Sequence, residues 1–301
     1  MAVLLVHGGA GTFSSGRDEI YRIGLKSAVE AGYALLTAGG SAVSAVLEAV
    51  SSMESNAEAF NAGVGGALTR TGDVELDACV MLADGSTGAV GGVRNSRNPV
   101  LLADLVRRTT PHVLLIGEGA EALETAPVTN DSLKTSTSRS DLDKWLETNR
   151  ELSGSGTVGA VAFDDSGSVA AATSSGGIVG QYKGRLGDTP IPGAGTWADA
   201  HVAVSGTGKG EAFIRSVACK SLADRLAGGG DIEAAITSAL ADLVTAQGYG
   251  GFIVATTAGS FAFGFNTPAM AYAFRAPGTS EEGLSRTAGV RVFKPAARSV
   301  S

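Results

Sequence analysis

Histidine and cysteine are both scarce: the 301-residue chain has three histidines (His7, His112, His201) and two cysteines (Cys79, Cys219). Neither an HExxH segment nor a Cys/His cluster occurs, which argues against a transition-metal site built on imidazole or thiolate. The cysteines lie in apolar surroundings without CxxC spacing and read as buried, reduced thiols, the pattern of a cytoplasmic protein. With so few histidines and no GxSxG segment, a Ser–His hydrolase has few candidates; His112 itself is expected in the core or at a strand edge. Positive charge is short as well. Lys and Arg number 23 against 30 Asp and Glu, a net charge of −7, whereas phosphate backbones and anionic membranes are bound by clustered cations. Neither nucleic acid nor a membrane is therefore expected as a partner. No apolar run approaches the roughly 18–20 residues of a membrane span. Residues 1–6 (MAVLLV) lack a basic stretch and a cleavage site, and read as a first strand instead of a signal peptide.

Glycine is what the chain has in excess: 43 residues, about 14 % and twice the roughly 7 % of average usage. Hydrophobic residues make up 44 %, enough to exclude disorder and fill a sizeable core. Such a length admits two small domains or one large layered one. Glycine-rich loops first suggest phosphate binding. Gly154-Ser-Gly156-Thr-Val-Gly159 precedes a strand, the reverse of the strand–loop–helix order that a pyrophosphate site needs. Gly117-Glu-Gly119-Ala-Glu-Ala122 follows a strand, but no second parallel strand comes after it. No GxxxxGK[ST] is present.

Along the chain, Val3–Val6 reads as a strand ending in the glycine turn His7–Gly11. Asp18–Thr37 has helical spacing despite Gly24 and Gly32, and Ser41 caps a second helix through about Met53. Val74–Leu82 and Gly88–Val93 read as strands, Asn98-Pro99 opens a helix, His112–Ile116 is a strand and Glu118–Glu124 a short helix. Thr125–Gly156 is polar, with almost nothing to bury, and reads as an exposed linker far longer than the usual four to six residues. Strands resume at 157–164 and 168–173, then at 201–205. Helices are expected from Gly208 to about Leu226 and from Asp231 to Ala246, with strand-like runs after them. Strands, helices and strands again in each half suggest sheets covered by helices, not an alternating βαβ array.

The linker ends at Gly156, and Thr157 begins an apolar strand at once. A threonine can act as nucleophile when its own α-amine, with a pKa of about 7.7–8, is free to serve as base. For Thr157 that requires cutting the bond before it. Glycine at 156 suits such a cut, having no Cβ to shield its carbonyl. The plainer alternative is a β-branched residue starting a strand, and the junction alone leaves both open.

HGGAG at 7–11, NAGVGGALTRTGDVELDA at 61–78, GAVGGVRNSRNPV at 88–100, GTVGAVAFD at 156–164, ATSSGG at 172–177, GRLGDTP at 184–190, SGTGKGE at 205–211 and GFNTPAM at 264–270 span nearly the whole chain. In that order they resemble the plant-type asparaginase / isoaspartyl peptidase family of N-terminal nucleophile hydrolases. The resemblance implies a single domain over 1–301, an α/β (α+β) four-layer αββα sandwich, and cleavage between Gly156 and Thr157 into an α chain (1–156) and a β chain (157–301). Two such αβ units would assemble as (αβ)₂. It makes Thr157 the nucleophile, Arg185 and Asp188 the holders of the substrate's α-carboxylate and α-ammonium, and Thr207 with Gly208 the oxyanion hole. A helix N-terminus at Thr207, with Thr207 as its N-cap, is expected to favour that charge. Gly210 matches a backbone position near the substrate ammonium, and Ser175 stands where the family has a second threonine. Asn61 and Gly9 match positions that orient the nucleophile.

The implied reaction is hydrolysis of the β-amide of L-asparagine or of β-aspartyl dipeptides. No cofactor is implied apart from a sodium ion held by a backbone loop, here Glu54–Phe60. This segment departs from the family's by lacking a proline and being one residue longer. Glycosylasparaginases and the threonine endopeptidase branch are the neighbouring alternatives. The former are usually secreted and disulfide-bonded; the latter must admit chain on both sides of the bond, which an Arg185/Asp188 pair opposes. A non-cleaving scaffold of the same fold is the alternative outside enzymes.

Overall fold

In the computed structural model, which describes residues 2–148 and 156–294, the first half runs β1 (Val3–Gly11), α1 (Asp18–Thr37), α2 (Ala42–Glu54), β2 (Leu76–Leu82), β3 (Thr87–Val93), α3 (Pro99–Thr109), β4 (Leu114–Ile116), α4 (Gly117–Glu121) and α5 (Ser136–Thr148). The second half runs β5 (Thr157–Phe163), β6 (Val169–Ser175), β7 (Thr196–Ala198), β8 (Val202–Gly208), α6 (Gly210–Ser216), α7 (Ala218–Leu226), α8 (Ile232–Thr245), β9 (Gly250–Thr256), β10 (Phe261–Phe265), β11 (Ala269–Ala276), β12 (Thr279–Ser285) and β13 (Gly289–Phe293). An eight-stranded sheet has the order β12-β11-β1-β5-β6-β2-β3-β4, and a five-stranded sheet the order β13-β10-β9-β8-β7.

The central strands are buried on both faces, so they read as nearly continuous apolar runs, and their residues sort by parity. In the larger sheet Leu4, Val6, Ala78, Val80, Val158, Ala160, Ala170 and Ala172 pack against α1, α2 and α3. Val3, Leu5, Cys79, Met81, Val161, Phe163, Val169 and Ala171 face the second sheet, meeting Ala203, Ile253, Phe261 and Phe263. Val202, Val204, Phe252 and Val254 turn outward to α6, α7 and α8. The result is four layers, helices–sheet–sheet–helices, as expected. Ser41 caps α2 by accepting the Ser44 N–H. Gly32 sits where α1 meets α2: a Cβ there would stand 2.5 Å from the Ala45 carbonyl oxygen. Both cysteines are buried and unpaired. Among the described residues, no helix is long and apolar enough to cross a membrane.

Four expectations are corrected. The 125–156 segment is not simply an exposed loop: a 3-10 turn (Asn130–Leu133) and α5 dock on the body by burying Leu133 and Leu142, while Asn130 bonds the Val74 and Arg94 carbonyls. Few anchors suffice because they cover a surface the rest of the fold has already formed; residues 149–155, with the Gly154 pattern, lie outside the described residues. His112 is exposed and stands ahead of the edge strand β4, so it is not in the core and the strand expected from His112 begins at Leu114. The helix expected from Gly208 begins at Gly210 and breaks at Val217, whose φ of 48° is left-handed. Thr207 accordingly lies in β8 and is not an N-cap.

Candidate active site

The inward-facing parity that is apolar near Val3 and Ala203 turns polar toward the other end of the strands. His7, Thr157, Thr173, Ser175, Asp77, Ser205 and Thr207 occupy it there, all buried. Antiparallel register sets Thr157 beside Ser175, and Ser175 beside Asp77. Thr157 Oγ1 donates to Ser175 Oγ at 3.2 Å, and Ser175 Oγ also accepts the Gly177 N–H at 3.1 Å. Ser175 thus sits in hydrogen-bonding contact with the hydroxyl of Thr157.

Behind Thr157 runs a chain of buried polar groups that bridges the two sheets. His7 Nε2 lies 2.9 Å from Ser205 Oγ, Ser205 Oγ 2.7 Å from Thr173 Oγ1, and Thr196 Oγ1 donates to Thr173 Oγ1 at 2.8 Å. Gly159 makes this contact possible, since a Cβ there would lie 2.1 Å from Ser205 Oγ and 2.4 Å from His7 Nε2. Burial lowers His7 to a pKa of about 3, against the opposing effect of its hydrogen bond to the Thr157 main chain; the ring is neutral at ordinary pH. Gly9, at φ 104° in a bulge of β1, donates its N–H to His7 Nδ1 at 3.4 Å. Gly9 therefore reaches the Thr157 region through His7. Asn61 packs its amide against Gly156, where an added Cβ would fall 2.6 Å from Asn61 Oδ1.

The opposite wall carries the charges. Arg185 Nε and Nη2 donate to Glu211 Oε1 at 3.1 and 2.9 Å. Asp188 is buried, and its Oδ2 has no hydrogen-bond partner among the described residues. Burial raises its carboxyl to a pKa of about 7, more than the Arg185 charge lowers it. The loop bearing both residues is held from β2 and the residue before it: Gly184 N–H donates to Glu75 Oε2 at 2.8 Å and Gly187 N–H to Asp77 Oδ2 at 3.0 Å. Gly210 closes the wall, with room for no Cβ because Asp188 Oδ1 would lie 2.8 Å from one.

A cavity of about 410 Å³ brings Gly156, Thr157, Ser175, Arg185, Asp188, Gly208 and Gly210 onto one surface. Thr207 and Asn61 are not among its lining residues; Thr207 is fully buried next to Gly208, and Gly9 precedes the lining residue Ala10. Glu54 and Phe60 lie away from it. The Glu54 carboxylate faces the start of α3, accepting the Val100 N–H at 2.9 Å and an Asn98 amide N–H at 3.2 Å, and burial raises it to a pKa of about 8.

Sequence reasoning left Glu75, Asp77, Glu211 and the His7–Ser205–Thr173–Thr196 chain without roles. The one available signal for the first two was an acidic residue on either side of Leu76 at the entrance to an apolar strand. Glu211 and Lys209 lie in the SGTGKGE segment, where their spacing signals no role.

The protein family described as asparaginase matches residues 1–284. An isoaspartyl peptidase/L-asparaginase of Xenopus laevis is 41 % identical over 287 residues, covering 90 % of this chain and 91 % of the relative. One of Danio rerio is 41 % identical over 298 residues, covering 94 % and 95 %. An isoaspartyl peptidase of Escherichia coli (strain K12) is 42 % identical over 315 residues, covering 96 % and 97 %.

Proposed function

Because this chain belongs to the asparaginase family of hydrolases, we propose that it cleaves its own Gly156–Thr157 bond and then hydrolyses the β-amide of L-asparagine and of β-aspartyl dipeptides. One observation carries the reading: the Thr157 hydroxyl and a buried, unpartnered Asp188 carboxylate oxygen share one cavity with Arg185. A buried carboxylate oxygen with no partner among the described residues is costly unless a ligand's cation completes it, and Arg185 beside it offers a fork for a carboxylate. An α-amino acid head group presents both charges.

In the self-cleavage, Thr157 Oγ1 attacks the Gly156 carbonyl carbon, the peptide C–N bond breaks, and an ester replaces it. Water then hydrolyses the ester, leaving a Gly156 carboxylate and a free Thr157 amine. In turnover that amine accepts the Oγ1 proton as Oγ1 attacks the substrate β-carbonyl. The negative charge on the tetrahedral oxygen is received by the Thr207 hydroxyl and the Gly208 N–H. The leaving amine takes the proton and departs, and water, deprotonated by the same amine, cleaves the β-aspartyl ester to release aspartate. Ser175 holds the Thr157 hydroxyl in place, Asn61 holds Gly156, and Glu211 orients the Arg185 guanidinium. Purified protein is expected to resolve into two masses split at Gly156/Thr157 and to release aspartate from either substrate. A single mass that persists for days, with no aspartate released, removes the proposal.

The resemblance also leads us to propose (αβ)₂ as the working assembly; a solution mass equal to one αβ unit would remove it. A sodium ion at the loop near Glu54 and Phe60 is proposed to use main-chain oxygens and not the Glu54 carboxyl, which is committed to α3. The Glu54 and Gly63 carbonyls each accept one backbone N–H, and a carbonyl has a second lone pair to offer. Replacing sodium by choline should then lower the thermal midpoint; an unchanged midpoint takes the ion out of the reading.

A further inference from the structure

Among the described residues, four charged ones line the cavity: Arg185, Asp188, Lys209 and Glu211. On the proposed reading, Arg185 and Asp188 take the two charges of the aspartyl end, and Glu211 is paired with Arg185 at 2.9 Å. Lys209 is left over. It stands between Gly208 and Gly210, its main-chain N–H donates to the Tyr249 carbonyl at 3.0 Å, and its ammonium donates to the Gln247 carbonyl at 3.1 Å. Among the described residues it forms no ion pair.

The two candidate substrates differ in what they ask of this place. Asparagine releases ammonia, which has no charge to be met by a lysine. A β-aspartyl dipeptide releases an amino acid whose free carboxylate is attached to the carbon bearing the scissile nitrogen. Consecutive Cα atoms are about 3.8 Å apart, so Lys209 starts one residue from the proposed oxyanion donor Gly208. Its four-carbon stem lets the ammonium leave a neutral carbonyl for a carboxylate. Ile178 and Tyr249, which also line the cavity, are 43 % and 45 % exposed. They offer apolar surface at its mouth for the side chain of the departing residue.

We propose that Lys209, flanked by Ile178 and Tyr249, forms the subsite for the leaving amino acid, its ammonium receiving that residue's free carboxylate. The substrate class favoured is then β-aspartyl dipeptides with an uncapped C-terminus and an apolar second residue. This rests on the β-aspartyl hydrolase reading above. Lys209 also has a structural use: together with Arg215, which donates to the Ala246 carbonyl, it meets carbonyls just past the C-terminal end of α8, where cations are favoured. That role acts on every substrate alike, so the test is a ratio. For the processed enzyme, kcat/KM is measured on β-aspartyl-leucine and on β-aspartyl-leucine amide, with L-asparagine as a third substrate. The acid-to-amide ratio should fall about fivefold to tenfold in Lys209→Met, the range for one partly exposed charge-assisted contact, and recover in Lys209→Arg. In the wild type it should shrink as salt is raised. A ratio unchanged by Lys209→Met, with the wild type active, overturns the subsite and leaves the β-aspartyl hydrolase reading standing. A processed wild type that releases aspartate from none of the three overturns both.

Discussion

Thr157→Ala is expected to yield one uncut chain and to remove turnover of asparagine and β-aspartyl dipeptides together. The reason is that the same oxygen is asked to serve twice. Without Oγ1 there is nothing to attack the Gly156 carbonyl, the α-amine is never freed, and the general base is lost along with the nucleophile. When groups act as a unit, removing one costs nearly as much as removing all, so a fall of at least about 10⁴-fold in kcat is expected. Misfolding is a poor alternative explanation. Thr157 pairs through its main chain with Ser175, which alanine preserves, and the lost hydroxyl leaves Ser175 Oγ still accepting from Gly177. Thr157→Ser, which restores the hydroxyl without the methyl, should regain cleavage at a reduced rate. An alanine variant that still splits, or still releases aspartate, shows that the nucleophile is elsewhere.

Asp188→Asn should separate the two reactions that Thr157→Ala abolishes together. Self-cleavage involves no free amino acid, so the variant should still divide at Gly156/Thr157. Turnover should nevertheless collapse, with kcat/KM falling about 10²- to 10³-fold, the loss expected when a buried charge-assisted pair is replaced by a neutral amide. The pH profile gives the same residue a second signature. Burial holds the Asp188 carboxyl at a pKa of about 7, so it takes up a proton as pH falls through 7 and can no longer pair with an ammonium. kcat/KM should therefore decline below about pH 7. The limb in kcat should lie lower, because a bound ammonium favours the ionised form. In the amide variant this limb should vanish. Stability moves the other way. A carboxyl whose folded pKa is raised penalises the folded state once pH exceeds its usual value of about 3.9, and the penalty is complete above the folded value. A neutral amide carries no such penalty, so the variant should be no less stable than wild type at pH 8. A variant that binds and turns over substrate normally would take the ammonium role from Asp188.

Why these residues converge was only partly visible beforehand. Arg185 and Asp188 were legible only through the resemblance carried by the GRLGDTP segment; spacing alone assigned neither a role. Ser175 was found through a resemblance, but its contact with Thr157 follows from the β5–β6 register. The carboxylates of Glu75 and Asp77, which hold the Arg185 loop from more than 100 residues away, could not be assigned from spacing at all. His7 looked like part of a glycine turn; its partner Ser205 is 198 residues distant on the other sheet. The polar 125–156 stretch misled for the opposite reason. Leu133 and Leu142 are too sparse to make a periodic signal, yet they cover a hydrophobic surface that other elements supply.

By itself the sequence determined the arrangement of sheets covered by helices and, through motifs read in order, the family and its αββα class, because these rest on local chain chemistry and on motif order. Only the tertiary structure decided which face of each strand is the reactive one. Strands buried on both sides show no alternation of apolar and polar residues from which to read it. Register and sheet stacking settle it instead. They place Thr157, Ser175, Asp77, Ser205 and Thr207 on the inward parity at one end of two sheets, and leave Asp188 beside them with an oxygen that no other described residue satisfies.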